Sequence, residues 1–265
     1  MAYRTEWFND ESFWQEYAPI MFDDRHWQEL PQAADAITRL LALPLYEDSA
    51  GDAPGGPRLL DLCCGMGRTS LELCRRGFAV TGVDLCRAYL ETARDDAAHE
   101  KLDIEYVHSD ARSFRRPQFF DAAVNLYISF GYFEDQADDL LMVRNVYDSL
   151  KDGAAFIIET LGKEIAVRDF VEAEWFERAG YRVLTRYAPV DSWAKLQNTW
   201  ILMGDKNGDK AGKQIERTFT QRLYSASELR ALMLQAGFST VDIYGDWDES
   251  PYDQYAQKLI AVGRK

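Results

Sequence analysis

Asp61, Asp84 and Asp110 are the acids best placed to do chemistry in this chain, because the first stands just ahead of the turn Gly65-Met66-Gly67 and the others close later strand-like runs. A glycine turn after a first strand lets backbone approach a ligand closely, since any Cβ there would collide with it. A dinucleotide site calls for Gly-x-Gly-x-x-Gly and sets helix N-terminal amides on a pyrophosphate. Here Ser70 holds the third glycine position. A carboxylate beside a pyrophosphate is electrostatically unfavourable, whereas a ligand carrying an ammonium and a sulfonium suits it. Asp84, 17 positions after Gly67, is placed to accept both hydroxyls of a ribose. Asp110 is placed to accept from an adenine amino group.

These residues need strands that end side by side. Leu59 to Cys63 forms an apolar run after the turn segment Gly51 to Pro57, and Thr69 to Arg76 suits a helix stopping at Gly77. Phe78 to Leu85 reads as a second strand, Arg87 to Ala98 as a helix, and Ile104 to Val107 as a third strand leading to Ser109-Asp110. The continuous apolar run Phe119 to Ser129 is typical of a central parallel strand. Asp138 to Leu150 predicts a helix and Ala154 to Thr160 a fifth strand. Alternating strands and helices predict a doubly wound α/β sheet. After Leu161 the pattern changes to three strands without helices, Tyr181 to Val190, Lys195 to Met203 and Gln214 to Leu223, with a turn at Asp205-Lys206-Asn207-Gly208. This predicts an antiparallel β cap. Ser225 to Glu228 is a capping-box signature for a helix running to Gly237, followed by strands Val241 to Tyr244 and Leu259 to Val262. The expected division is an N-terminal helical lid at 1–50, a cofactor core at 51–161, the cap at 162–224 and the end of the core at 225–265.

The residues around the three acids resemble those of class I S-adenosylmethionine (SAM)-dependent methyltransferases. Asp61-Leu62-Cys63-Cys64-Gly65-Met66-Gly67 resembles that family's first motif, Val83-Asp84 the second, and Ser109-Asp110-Ala111 the third. Phe120 to Asn125 resembles the fourth, and Leu150 to Ala154 the turn before strand five. The resemblance implies a Rossmann-like, seven-stranded, mostly parallel sheet with a reversed last hairpin and SAM lying across the strand ends. It implies cofactor contacts from Asp61, Gly65, Gly67, Asp84, Leu85, Asp110 and Ala111, with Leu126 on the adenine. Finer resemblance is to small-molecule N- and O-methyltransferases, including amino-sugar N-methyltransferases, through Ile128-Ser129-Phe130-Gly131-Tyr132-Phe133. In these, a tyrosine and an arginine eight residues later hold the methionine carboxylate, and Tyr17 and Arg25 keep that spacing.

The implied reaction is in-line transfer of the SAM methyl to a nitrogen or oxygen of a small acceptor, releasing S-adenosylhomocysteine. The sulfonium is already activated, so alignment and desolvation dominate. Tyr132 and Glu159 are the candidates if a base is used, and Tyr132 equally suits packing under the lid. Tyr132, Trp193, Asn198, Trp200, Arg222 and Tyr224 are the expected acceptor-binding side chains, the aromatic ones through cation–π contact. RNA methylation and non-catalytic SAM binding stand as alternatives.

Composition narrows the class. With 30 basic and 44 acidic residues the net charge is −14, which opposes binding to a phosphate backbone. No segment approaches the ~18 continuous apolar residues of a membrane span, and no signal-peptide pattern opens the chain. A soluble, cytoplasmic monomer or homodimer is expected, with no DNA or membrane partner. Cys63, Cys64, Cys74 and Cys86 include no Cys-x-x-Cys pair, the three histidines make no ligand pair, and no metal site is expected. Asn125-Leu126-Tyr127-Ile128 stands where adenine-N6 methyltransferases carry Asn-Pro-Pro-aromatic.

Overall fold

The computed structural model describes residues 6–22, 24–43, 56–204 and 212–265, with 24–28 described by backbone only. The turns expected at 51–55 and 205–208 and the side chain of Arg25 lie outside the described residues. Two helices come first, α1 (Glu11–Met21) and α2 (Asp24–Leu41). Asp10 caps α1 by accepting from the Ser12 N–H, and this relieves one of the unpaired donors at a helix start.

The alternating region forms β1 (Arg58–Leu62), α3 (Arg68–Arg75), β2 (Ala79–Asp84), α4 (Arg87–Glu100), β3 (Glu105–His108), β4 (Phe120–Asn125), α5 (Gln136–Ser149) and β5 (Leu150–Thr160). After an intervening segment come α7 (Ala226–Ala236), β10 (Thr240–Tyr244) and β11 (Leu259–Arg264). The capping box is formed as expected, with Ser225 and Glu228 satisfying each other's backbone N–H. The seven strands run in the order β10-β11-β5-β4-β1-β2-β3, with β11 antiparallel to both β5 and β10. This is the expected doubly wound sheet. Its order reverses at β1, which sits between β4 and β2, so the crevice beyond the β1 carboxyl end is the natural ligand position.

Both faces of the sheet are covered. Leu60, Phe120, Phe156 and Ile158 pack under α5 and α7, while Leu59, Val124, Ile157 and Ile260 pack under α2 and α3. These strands therefore read as nearly continuous apolar runs.

Between β5 and α7 the chain forms α6 (Lys163–Arg168) and a separate antiparallel sheet, β6 (Ala173–Arg178), β7 (Tyr181–Val190), β8 (Lys195–Gly204) and β9 (Gln214–Arg222). The expected cap has three strands; the structure has four. β6 is an edge strand whose residues are mostly exposed, so Ala-Glu-Trp-Phe-Glu-Arg lacks the apolar alternation that marks a half-buried strand. α1 packs on this sheet through Phe13, Tyr17 and Ile20 against Tyr181, Val183, Leu202 and Phe219. No helix among the described residues is long and apolar enough to cross a membrane.

Candidate active site

The carboxyl ends of β1 to β4 open into one cavity of about 740 Å³. The glycine turn forms one wall. Cys63 (φ 61°) leaves β1 in the left-handed region and Gly65 (φ 56°) follows it. Gly67 (φ 74°) starts α3, and a Cβ on it would lie 2.4 Å from the Tyr106 hydroxyl, so close packing as well as backbone conformation requires glycine there. Gly65 lines the cavity; Gly67 does not, and its contribution is to turn the chain. β1 stops at Leu62, and both Cys63 and Cys64 line the cavity. Burial raises the thiol pKa of both.

Asp61, Asp84, Leu85, Asp110, Ala111 and Leu126 all lie on the cavity wall. Asp61 is buried and accepts a 2.6 Å hydrogen bond from Ser70. Burial, assisted by the charge of Asp84 and opposed by the Ser70 bond, pushes its carboxyl up to about 7. Asp84 accepts from the Gly65 N–H and the Cys86 N–H, each at 2.8 Å and each on a different oxygen. Burial raises its pKa despite those bonds. Neither acid has a lysine or arginine among its influences, and Arg68 and Arg178 stand elsewhere on the wall, so these two strand ends suit a cationic group.

Asp110 differs from the other two. Arg112 binds both its oxygens and also reaches Glu6 and Asp138. Burial works to raise the Asp110 pKa, but the Arg112 bonds prevail and hold it low. That carboxylate is already neutralised within the protein.

The segment leaving β4 separates the acid-lined end from the cap. Tyr127 (φ 54°) and Ile128 (φ 60°) are both left-handed, a conformation a β-branched residue rarely adopts, at a cost of roughly 1–3 kcal/mol each. Neighbouring groups hold it in place. Glu159 accepts from the Tyr127 N–H at 2.5 Å, and Gln221 of β9 donates to the carbonyls of Ile128 and Phe130. Glu159 is therefore buried support off the cavity wall, which corrects its expected place as a base. Tyr132 does line the cavity, beside Trp7 and Trp14. Burial raises its pKa, so its phenol stays protonated.

At the cap end, Asn198, Trp200, Phe219 and Gln221 line the cavity together with Phe170 and Tyr187. Four expected contacts fall elsewhere. Arg222 donates to Asp139 at 3.1 Å and to the Glu134 carbonyl. Tyr224 is buried and donates to the same Asp139 at 2.7 Å. Trp193 packs edge-on against Phe170, off the wall. Tyr17 is fully buried in the α1–cap core, where its hydroxyl donates to the Trp200 carbonyl at 2.8 Å.

Gln221 was not expected, although alternation could have found it. In β9 the odd positions Ile215, Phe219 and Gln221 are buried, whereas Arg222 falls on the even parity.

A seven-stranded sheet of this order, with unpaired acids at its switch point, is the architecture of a Rossmann-like methyltransferase. Residues 59–153 match a family model described as a methyltransferase domain, which together with the similarities below supports a SAM-dependent methyltransferase with SAM as its cofactor. It is similar to a SAM-dependent methyltransferase from Clostridium acetobutylicum, with 15% identity and a TM-score of 0.74 over 96% of this chain and 97% of that one. SAM-bound CalS10, an amino pentose methyltransferase from Micromonospora echinaspora, matches with 19% identity and a TM-score of 0.66, covering 96% and 97%. A ubiquinone biosynthesis O-methyltransferase from Ruegeria pomeroyi is 33% identical over 135 residues, 50% of this chain and 53% of that one. The match thus spans about half of that relative.

Proposed function

We propose that this methyltransferase transfers the SAM methyl group to a nitrogen or oxygen of a small-molecule acceptor held beneath the cap. One observation carries the reading. A single cavity joins the acid-lined strand ends to the aromatic face of the cap, and its 740 Å³ matches the space small ligands occupy. A net charge of −14 argues against a polyanionic acceptor. The amino pentose and ubiquinone-pathway enzymes named above support a small acceptor in kind.

In this reading Asp84 receives the ribose hydroxyls, Gly65 admits the cofactor against bare backbone, and Leu126 and Ala111 flank the adenine. Asp61 supplies negative potential toward the cationic end. Bound SAM supplies a methyl group on a sulfonium, a leaving group that needs no further activation. The protein's task is then to hold the nucleophile in line and exclude water. α1 and the residues flanking it serve the second purpose through Phe8, Trp14, Ile20 and Phe22, which line the same cavity. Tyr132, kept neutral by burial, hydrogen-bonds the acceptor instead of removing its proton.

The test is S-adenosylhomocysteine formation by purified protein across a panel of small amines and hydroxyl compounds. Turnover of at least one member is expected. Binding of SAM with no turnover across the panel would count against the acceptor class.

A further inference from the structure

Two side-chain amides at the cap end carry the reading just proposed one step further. Asn198 on β8 and Gln221 on β9 are both buried and both line the cavity. They share one face of the cap sheet, because Leu196 pairs with Gln221 and Asn198 with Phe219, and all four side chains line the cavity. What the amide nitrogen of Gln221 does fixes where its oxygen points, whereas that of Asn198 engages one of its two hydrogens. Gln221 Nε2 donates to the Ile128 carbonyl at 3.1 Å and to the Phe130 carbonyl at 2.9 Å. Asn198 Nδ2 donates to the Leu196 carbonyl at 3.1 Å. A carboxamide has two N–H hydrogens, so those of Gln221 are spent and its Oε1 is turned away from the loop. Among the described residues no hydrogen bond is donated to Gln221 Oε1 or Asn198 Oδ1, and neither is an enclosed atom lacking a partner, so both oxygens keep accessible surface. The cavity therefore meets two hydrogen-bond acceptors set among apolar groups such as Ile165, Leu196, Phe170 and Phe219.

The charged groups at this end are otherwise engaged. Asp169 pairs with Arg168, Glu174 accepts from the Tyr187 hydroxyl, and Arg178 donates to the Ile20 carbonyl.

We infer that Asn198 and Gln221 select the acceptor as an amine on an apolar scaffold, their two oxygens receiving its N–H groups and leaving its lone pair free. A primary amine satisfies both oxygens. A hydroxyl has one hydrogen and leaves one oxygen desolvated without a partner, and sites of this kind reject analogues for that reason. The nucleophile's proton points the same way. The ammonium form gives its proton to solvent before it is enclosed, and the neutral nitrogen then attacks: its lone pair forms the new carbon–nitrogen bond, the carbon–sulfur pair stays with sulfur, and the methylammonium product sheds its proton to solvent. A hydroxyl needs a proton acceptor at the moment of attack. Glu159 is off the wall and Tyr132 remains a phenol.

The experiment uses protein saturated with S-adenosylhomocysteine and two probes differing in one group, 2-phenylethylamine and 2-phenylethanol, with binding followed by calorimetry. The amine is expected to bind at least fivefold more tightly. Asn198→Leu should lower amine affinity tenfold or more while leaving the alcohol within threefold. Asn198→Asp keeps acceptor oxygens at that position and should restore the amine. Equal affinity of wild type for the two probes, no binding of the amine, or an unchanged ratio in Asn198→Leu overturns the assignment. S-adenosylhomocysteine affinity, measured separately, tells the two readings apart. Protein that binds it and ignores the amine overturns the acceptor assignment alone, whereas protein that does not bind it overturns both.

Discussion

At the carboxyl ends of the parallel strands, each ligand-facing acid is positioned by hydrogen bonds from its own turn or its neighbour's: Gly65 and Cys86 amides on Asp84, the Ser70 hydroxyl on Asp61. Under the cap, the ligand-facing groups are side chains of an added sheet, positioned by contacts reaching across some ninety residues of sequence, as from Gln221 to Phe130. In the proposed reading the first region takes the cofactor, with acids that backbone and turn geometry hold in place. The second is tied to the fold through side chains, which can be exchanged without rebuilding the sheet. In that reading the difference separates the cofactor half of the reaction from the acceptor half.

The largest effect should come from breaking the cap's attachment. Asp139 on α5 is fully buried, burial raises its carboxyl to about 6 against the pull of Tyr224 and Arg222, and those two residues lead into α7 from β9. Arg222→Leu leaves a buried carboxylate without its cation, which typically costs about 3–5 kcal/mol. Thermal unfolding should show a marked loss of stability. The variant that remains folded should still bind S-adenosylhomocysteine with near wild-type affinity. A fully stable Arg222→Leu protein would return Arg222 to the acceptor site.

Next is the cofactor end. Asp84→Ala removes the group assigned to the ribose and strips partners from two backbone amides. Charge-assisted hydrogen bonds contribute roughly 1.5–3 kcal/mol each, so SAM affinity should fall by about 30-fold or more by calorimetry. Unchanged affinity would remove Asp84 from the site and with it the contrast between the two regions.

The pH dependence is a finer probe of the same end. Asp61 is held near 7, and a cationic ligand favours its ionised form. SAM affinity should be full above pH 7 and should fall as pH drops through 7, by up to tenfold per unit, or about 1.4 kcal/mol. The free protein carries the opposite dependence. The folded state holds a proton that the unfolded chain releases at ordinary carboxylate pH, so its stability declines as pH rises toward 7. Stabilisation by SAM should accordingly be larger at pH 8 than at pH 6, and Asp61→Asn should flatten both profiles.

How much of this was legible follows the same division. Asp61, Gly65, Asp84 and Leu126 were readable because strand-end acids, a glycine turn and a buried apolar run are local signals whose order fixes their place in a doubly wound sheet. The capping box at Ser225 was readable for the same reason. At the cap, residue type misled where parity would have served: Arg222 and Tyr224 suggested chemistry by their side chains, yet Gln221 on the opposite parity faces the cavity. β6 was hidden because an exposed edge strand carries no apolar alternation. The neutralisation of Asp110 by Arg112, which also holds Glu6, depends on a tertiary contact that no local pattern encodes.

The smallest effect is expected at Glu159, where the boundary between the two regions is tested directly. A general base there would give a large loss of turnover on removal of its charge and would remove the acidic limb of the pH–rate profile. The geometry gives it a different task. One carboxylate oxygen receives the Tyr127 N–H, and the other lies 4.0 Å from Lys258. Glu159→Gln keeps an oxygen for that N–H, so the left-handed pair Tyr127–Ile128 stays supported, and only the charge is lost. With any acceptor that the panel turns over, kcat should change by less than threefold and the acidic limb should stay in place. Glu159→Ala, which frees the Tyr127 N–H, should instead loosen the loop that Gln221 grips from the cap side and weaken cofactor and acceptor binding together. If the glutamine variant loses activity as severely as the alanine variant, the charge itself acts in the reaction, and the acceptor's proton has a protein destination after all.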